Sequence, residues 1–253
     1  MIRSCLWLAV LMLAAMPPAT GPAAAQTPSC EIDEALLGEI HPLTYAAAAI
    51  REKRSLRILV IGSGSTVGVR VGGTDVTSYA ARLKDELTKR YPGLAVELTN
   101  VAKRGLTARQ MLAQLTVDIP RLMPALVIWQ TGTTEIVMGY DLMEFGRHVA
   151  EGLDMLRDKG ADVVLVTPQF GPKNDLLLEY DKVLDLMARL GESRNAMIFR
   201  RHQIMQRYVE EGRFRPGLRG TPHQVREAEW LHQCLAVDLA DMIAFAVAAT
   251  PAQ

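Results

Sequence analysis

Short apolar runs alternate with segments of helical periodicity along most of the chain. Each apolar run has the length of a buried strand, and the runs lie near residues 57–61, 94–99, 125–130, 162–167 and 196–199. Between them, apolar residues recur every three or four positions, which predicts helices over 77–90, 107–115, 141–157 and 175–190. This alternation predicts an α/β fold: a three-layer α/β/α sandwich with about five parallel strands and helices on both faces.

A last helix is predicted at the carboxyl end of the chain. Thr221 has the residue type of an N-cap, and Pro222 suits the first helical position. Apolar spacing then continues through Trp230, Leu235 and Leu239. We expect a single domain over residues 57–250, with the flavodoxin-like arrangement of a doubly wound sheet.

The first 25 residues have the pattern of a secretory signal peptide. Arg3 precedes an apolar run that ends at Met16, and Ala23-Ala-Ala25 has the small residues of a cleavage site. The run is shorter than the about 20 residues that a membrane span requires. We therefore predict cleavage after Ala25, a periplasmic or secreted protein without stable membrane insertion, and an N-terminal extension over residues 26–56 that packs on the domain.

Charge and cysteine content indicate which binding partners, disulfides and metal sites to expect. The formal net charge is +0, so the chain has no basic field that would attract nucleic acid. After export, Cys30 and Cys234 would lie in an oxidising compartment, either as a disulfide, which we favour, or as two separate buried thiols. Because the chain has no Cys-x-x-Cys and no paired histidines, we predict no metal site, and we expect no cofactor.

Two of the predicted strands run into turns that are rich in small hydroxyl residues. The strand 57–61 is followed by Gly62-Ser-Gly-Ser-Thr66, and the strand 125–130 is followed by Thr131-Gly-Thr-Thr-Glu135. In a parallel sheet, polar residues at neighbouring carboxyl ends line one crevice. The sequence therefore predicts a binding or catalytic site at this edge of the sheet.

These segments resemble the conserved blocks of the SGNH or GDSL hydrolases over most of the chain. The turn from Gly62 is similar to the family's Gly-Asp-Ser-x-Thr-x-Gly motif, with Ser63 in the Asp position and Gly64 in the nucleophile position. Gly105 matches the glycine whose N–H contributes to the oxyanion hole, and Thr134 stands where the family has an oxyanion-binding asparagine. The resemblance implies hydrolysis of esters through a serine nucleophile.

The family's final block, Asp-x-x-His, can be placed in more than one way. If His223 takes the histidine position, Gly220 takes the aspartate position. An alignment on Cys234 instead puts Arg226 in the histidine position and His223 in the aspartate position. His232 is a third candidate, but it lies roughly 13 Å further along the helix axis, which argues against it.

A slide of the turn by one residue would present Ser65 as the nucleophile, with Ser63 as the second choice. His223 would then be the base, and Gly105 and Thr134 would bind the oxyanion. We predict an exported ester hydrolase acting on an ester-bearing carbohydrate, lipid or cell-envelope substrate. The alternative is a catalytically inactive protein of the same fold whose crevice binds a glycan or a protein partner.

Overall fold

Five parallel strands form the main sheet of the computed structural model. The strands of the molecule are β1 (Ser55–Ile61), β2 (Val69–Val71), β3 (Thr74–Val76), β4 (Ala95–Asn100), β5 (Leu126–Gln130), β6 (Asp162–Val166) and β7 (Met197–Phe199). The sheet order is β4-β1-β5-β6-β7, and all its pairings are parallel, while β2 and β3 form a separate antiparallel hairpin. This is the flavodoxin-like order, so the predicted fold class is confirmed.

The structure describes residues 29–31, 34–71, 73–171, 180–216 and 222–251. The helices in these ranges are α1 (Glu34–Leu37), α2 (Thr44–Lys53), α3 (Gly64–Val67), α4 (Tyr79–Arg90), α5 (Ala108–Leu122), α6 (Thr133–Met138), α7 (Leu142–Asp158), α8 (Tyr180–Arg194), α9 (Arg201–Glu210) and α10 (Pro222–Ala249). The predicted signal peptide, the predicted N-cap Thr221, Gly220 and the first residues of the helix predicted from 175 lie outside these ranges.

Two hydrophobic cores cover the two faces of the sheet. Successive side chains of a strand point to opposite faces, so Ile58 and Val60 of β1 pack with α2, α4, α9 and α10. Leu59 and Ile61 of the same strand pack with α5, α7 and α8 on the other face. Because both faces are buried, the strands have continuous apolar runs rather than alternating polarity.

Helix α5 is longer than its apolar spacing predicts. The expected segment ended at Leu115, whereas the helix ends at Leu122 and contains Pro120. Asp118 and Ile119 are buried, so packing against the core continues through this turn. Pro120 lies in the last turn, where the lost backbone hydrogen bond affects only the end of the helix.

Helix α10 is long and apolar enough to cross a membrane by length and composition alone. Of its most apolar 18-residue window, 67% is buried inside the molecule, mainly through packing on α4. A buried core helix has the same composition, and this burial accounts for the apolar residues of α10.

A disulfide joins Cys30 to Cys234, across a sequence separation of 204 residues. It ties the first described residues to the middle of α10, which belongs to one of the two cores. Tyr208 reinforces this connection, because its hydroxyl donates a hydrogen bond to the Cys30 carbonyl at 3.2 Å. The predicted pairing of the two cysteines is therefore present in the structure.

Replacement of both cysteines, Cys30→Ala with Cys234→Ala, should lower the melting temperature by roughly 10 °C, because removal of a native disulfide costs about 2–5 kcal/mol. Differential scanning calorimetry with and without dithiothreitol measures this shift. The reductant should destabilise the wild-type protein and leave the double variant unchanged. An equal response of both proteins to the reductant would contradict a structural role of the disulfide.

A buried carboxyl group lies beneath the disulfide. The hydroxyl oxygen of Tyr208 lies 2.6 Å from Asp238 Oδ2, and Asp238 is only 3% exposed. Burial raises the pKa of Asp238 to about 8, although the charges of Arg213 and Arg90 oppose this shift. Asp238 is therefore protonated in the folded protein over a pH range in which the unfolded chain is ionised.

This raised pKa predicts that stability falls as the pH rises from about 4 to about 8. The folded state binds more protons than the unfolded state across this window, so rising pH favours unfolding. Asp238→Asn should flatten the fall between about pH 6 and pH 8. Asp162, whose pKa is raised to about 6, would retain part of it at lower pH.

Urea unfolding of both proteins at pH 5, 6, 7 and 8 measures the effect. His232, whose pKa is lowered to about 4, opposes the trend below its ordinary value of 6.5 and does so equally in both proteins. The same slope for wild type and Asp238→Asn above pH 6 would show that Asp238 is not the group responsible.

Candidate active site

The candidate site lies where β1 and β5 end side by side. The chain leaves β1 for α3 and leaves β5 for α6. After β1, the next strand of the main sheet is β4, which lies on the side of β1 away from β5. The connections therefore diverge between β1 and β5, which is the point at which sheets of this type form a ligand crevice. The two hydroxyl-rich turns found in the sequence meet here.

The carboxamide of Gln130 joins the two turns. Its Oε1 atom accepts hydrogen bonds from Ser63 N at 2.8 Å, from Ser63 Oγ at 3.0 Å and from Thr66 Oγ1 at 3.2 Å. Its Nε2 atom donates to Thr133 Oγ1 at 3.2 Å. Ser63 and Gln130 are both buried. The hydroxyl of Ser63, the second choice for a nucleophile, thus holds the turn in place.

Ser65 contacts a buried arginine. Its Oγ atom accepts a hydrogen bond of 2.7 Å from Arg201 Nη1, and Arg201 Nε donates to the Thr167 carbonyl at 3.0 Å. Arg201 is 1% exposed, its guanidinium lies 5.6 Å from the ring centre of Tyr79, and its Nη2 atom has no hydrogen-bond partner among the described residues. Burial lowers the pKa of Arg201. The guanidinium nevertheless stays charged, so it can donate to Ser65 but cannot take its proton.

His223 lies in the first turn of α10 and is paired with a carboxylate. Its Nε2 atom is 2.8 Å from Glu227 Oε1, one helical turn further on, and its side chain is 52% exposed. Within the described residues, no hydrogen bond joins His223 to Ser65. The assignment of these two residues as base and nucleophile therefore stays a prediction.

His232 is buried and stacks on the ring of Tyr79. Its Nδ1 atom accepts a hydrogen bond of 3.1 Å from Tyr79 N, and the hydroxyl of Tyr79 lies 3.0 Å from Thr66 Oγ1. Burial and the charge of Arg201 lower the pKa of His232 to about 4. A neutral ring that accepts at Nδ1 carries its proton on Nε2, so this histidine positions the start of α4.

The two predicted oxyanion donors also lie at this edge of the sheet. Gly105 has φ +76°, a conformation that favours glycine, and its N–H makes no hydrogen bond within the described chain. Thr134 is half-buried in the first turn of α6. Asn100 anchors the loop before Gly105, because its Nδ2 atom donates to the Thr66 carbonyl at 3.1 Å.

A cavity of about 410 Å³ opens beside Gly105 and contains Glu135, Phe145 and His148 in its lining. Glu135 Oε1 accepts a hydrogen bond from Ala108 N at the start of α5, and its Oε2 atom has no partner within the described ranges. Burial raises the pKa of this carboxyl group. Within the described ranges, no three His, Cys, Asp or Glu side chains are grouped so that they could hold a metal ion.

A larger cavity, of about 720 Å³, lies at the opposite edge of the sheet. Ser55 and Arg57, at the beginning of β1, contribute to its lining. This cavity is therefore remote from the carboxyl ends of the strands, where the candidate site lies.

Comparison with known protein families shows to which family this chain belongs. The sequence model of the non-GDSL lipase-like family matches residues 29–249. The chain belongs to this family. No curated protein sequence matches the chain.

Solved structures with the same fold include enzymes that act on esters. A catalytic mutant of Axe2, an acetylxylan esterase from Geobacillus stearothermophilus, is 16% identical with a TM-score of 0.57, and the match covers 78% of this chain and 97% of that chain. LAE5, an α/β hydrolase from the metagenome of Lake Arreo, is 19% identical with the same TM-score and coverage. The acetyl xylan esterase AlAXEase is 15% identical with a TM-score of 0.56, covering 76% and 99%. At these identities, the likeness confirms the fold.

In this non-GDSL lipase-like protein, the two glycines of the turn after β1 differ in the space around them. A Cβ atom added at Gly64 would meet only Arg104 Nη1, at 3.6 Å. A Cβ atom added at Gly62 would lie 2.7 Å from Thr66 Oγ1 and 3.0 Å from Gln130 Cβ. Gly62 is thus required by packing, whereas Gly64 leaves space in the crevice.

Arg201 was not among the residues predicted from the sequence. A signal was present, since the basic pair Arg200-Arg201 directly follows the fifth apolar run and so marks another strand end. The sequence around Arg201 does not reveal its partner, because Ser65 lies 136 residues away in the chain.

The two glycines of the turn should respond differently to the same change. Gly62→Ala should destabilise the non-GDSL lipase-like protein by about 1–3 kcal/mol, because the added methyl group overlaps buried atoms. Gly64→Ala should change the free energy of unfolding by less than about 0.5 kcal/mol. Urea denaturation of the three proteins checks both values. A Gly64→Ala variant as unstable as Gly62→Ala would refute the open space at Gly64.

Proposed function

We propose that the protein is an ester hydrolase with Ser65 as its nucleophile. The observation that carries the proposal is the Ser65 hydroxyl, which a buried guanidinium holds at 2.7 Å in the crevice of a hydrolase fold. A cation at this distance favours the ionised form of the hydroxyl, because it offsets the developing negative charge. Arg201 thereby supports nucleophilic attack by the serine oxygen on an ester carbonyl.

The proton of Ser65 requires a base other than Arg201. His223 is proposed for this role, with Glu227 as the carboxylate that orients its ring. Because Nε2 faces Glu227, Nδ1 is the nitrogen that would accept the proton. Catalytic hydrogen bonds are often long in the free enzyme and shorten when the substrate binds, and the proposal places the Ser65–His223 contact in the substrate complex.

The oxyanion of the tetrahedral intermediate would be held by three donors: the N–H groups of Ser65 and Gly105 and the hydroxyl of Thr134. The N–H of Gly105 has no partner in the described chain, so it can donate without the loss of an existing bond. Loss of one such donor typically raises the barrier by about 2.7–4 kcal/mol. The shorter reach of threonine relative to asparagine supports a slow enzyme.

The proposed substrate is an acyl ester of a carbohydrate, lipid or cell-envelope component, met outside the cytoplasm. The fold shared with acetyl xylan esterases supports a small acyl group on a saccharide. The Cys30–Cys234 disulfide supports an oxidising compartment, as does the signal-peptide pattern of the first 25 residues. Nucleic acid and stably inserted membrane are not among the proposed partners.

A second function, ligand binding without turnover, is favoured by a specific observation. Gly64 has no hydroxyl at the position of the family's nucleophile, and the hydroxyl of Ser65 is held by a cation that cannot act as a base. In this reading, the crevice retains its ligand and does not cleave it.

Labelling with a fluorophosphonate probe and hydrolysis of p-nitrophenyl acetate distinguish the two functions. If Ser65 is the nucleophile, the probe should modify it, and Ser65→Ala should lose labelling and at least about 100-fold in turnover, since a nucleophile is indispensable. His223→Ala should lower turnover by about 10²–10⁴. Ser193→Ala, on the exposed surface of α8, is the matched control and should behave as wild type.

An active serine hydrolase, labelled with the fluorophosphonate probe in parallel, is the positive control. Folded wild-type protein that takes up no probe and releases no p-nitrophenol would refute the hydrolase and leave binding as the function. Equal labelling of Ser65→Ala and wild type would refute the choice of nucleophile.

A further inference from the structure

We propose that the crevice binds a carboxylate group between the guanidinium groups of Arg201 and Arg104, in the space that Gly64 leaves open. The inference deepens the proposed function by giving the ligand of the same site a negative charge. It rests on that proposal for the location of the site and not for turnover of the ester.

The first support is a buried cation, Arg201, for which the described residues supply no counter-charge. Among the described residues, Arg201 donates hydrogen bonds to the Thr167 carbonyl and the Ser65 hydroxyl and lies over the face of Tyr79, all of them neutral groups. Its Nη2 atom is buried and has no acceptor in the part of the chain that the structure describes. A desolvated charge is unfavourable without a counter-charge, and the described residues supply none. A negatively charged ligand would compensate the charge of Arg201.

The second support comes from the other side of the turn. Arg104 is exposed, and its Nη2 atom donates to the Gly68 carbonyl at 2.9 Å, which directs the guanidinium over α3. Its Nη1 atom would lie 3.6 Å from a Cβ atom at Gly64, and no carboxylate is paired with it within the described residues. Two positive groups therefore reach adjacent residues, Gly64 and Ser65, with open space at the first of them.

The donor geometry favours a carboxylate over other anions. The Nη1 and Nη2 atoms of one guanidinium form a planar pair of donors that matches the two oxygen atoms of a carboxylate. A phosphate dianion carries a second charge and further acceptors, for which the described crevice offers fewer donors. A neutral sugar supplies acceptors but no compensating charge.

The carboxylate could come from two parts of an ester substrate. It could be the acid released on hydrolysis, or it could belong to an acidic sugar in the alcohol part. Isothermal titration calorimetry of the mature protein with acetate, glucuronate, glucose and phosphate distinguishes these sources. Binding of glucuronate alone would assign the acidic sugar, and binding of acetate as well would assign the acid product; either result supports the proposal.

Variants connect the binding to the two arginines. Arg104→Ala should weaken carboxylate binding about fivefold, as expected for loss of an exposed ionic contact. Arg201→Lys keeps the charge but loses the planar donors, and should weaken binding by more than about tenfold. Arg70→Ala removes an exposed charge from the β2–β3 hairpin and should bind as wild type does. Because Arg104 is exposed, its variant reports on binding even if Arg201→Lys does not fold.

Ser65→Ala separates this inference from the hydrolase proposal, since it should abolish turnover and retain carboxylate binding. The carboxylate site is refuted if neither acetate nor glucuronate binds when its concentration is 10-fold above the protein concentration needed for detection. It is equally refuted if glucose binds as tightly as glucuronate, or if phosphate binds more tightly than both acids. It is also refuted if Arg104→Ala binds the acid with unchanged affinity.

Discussion

The candidate site depends on one buried carboxamide. Gln130 ends β5, and its oxygen receives three hydrogen bonds from the turn that follows β1. Each buried donor left without a partner would cost about 1–3 kcal/mol, so the two strand ends are held as a unit. The position of Ser65, the opening at Gly64 and the contact between Thr66 and Tyr79 all follow from this junction.

The electrostatics of the crevice are set by Arg201. A buried guanidinium disfavours a second cation nearby, and its charge contributes to the lowered pKa of His232. The same charge stabilises negative charge at Ser65, whether that charge develops on the serine oxygen or arrives with a ligand. A fold shared with ester hydrolases is thus combined with a candidate site that contains a buried cation.

Much of the fold could be predicted because its causes are local. The apolar runs of a parallel sheet buried on both faces are visible in the sequence, and Asp141 caps α7 as its residue type suggests. Other elements have weaker local signals. The alanine-rich α2 is held by packing of small side chains, and the strands β2 and β3 have three residues each, too few to show a period. The predicted end of α5 at Leu115 was wrong because the buried residues Asp118 and Ile119 continue the packing of the helix as far as Leu122.

The sequence by itself determined the order of strands and helices, the turn of small and hydroxyl residues after β1, and the two cysteines available to form a disulfide. Only the tertiary structure decided which polar groups meet. Arg201 reaches Ser65 across 136 residues, and His232 reaches Tyr79 across 153. The physical reason is that periodicity and capping depend on neighbours within a few residues, whereas contacts at strand ends depend on the order in which distant strands pair in the sheet.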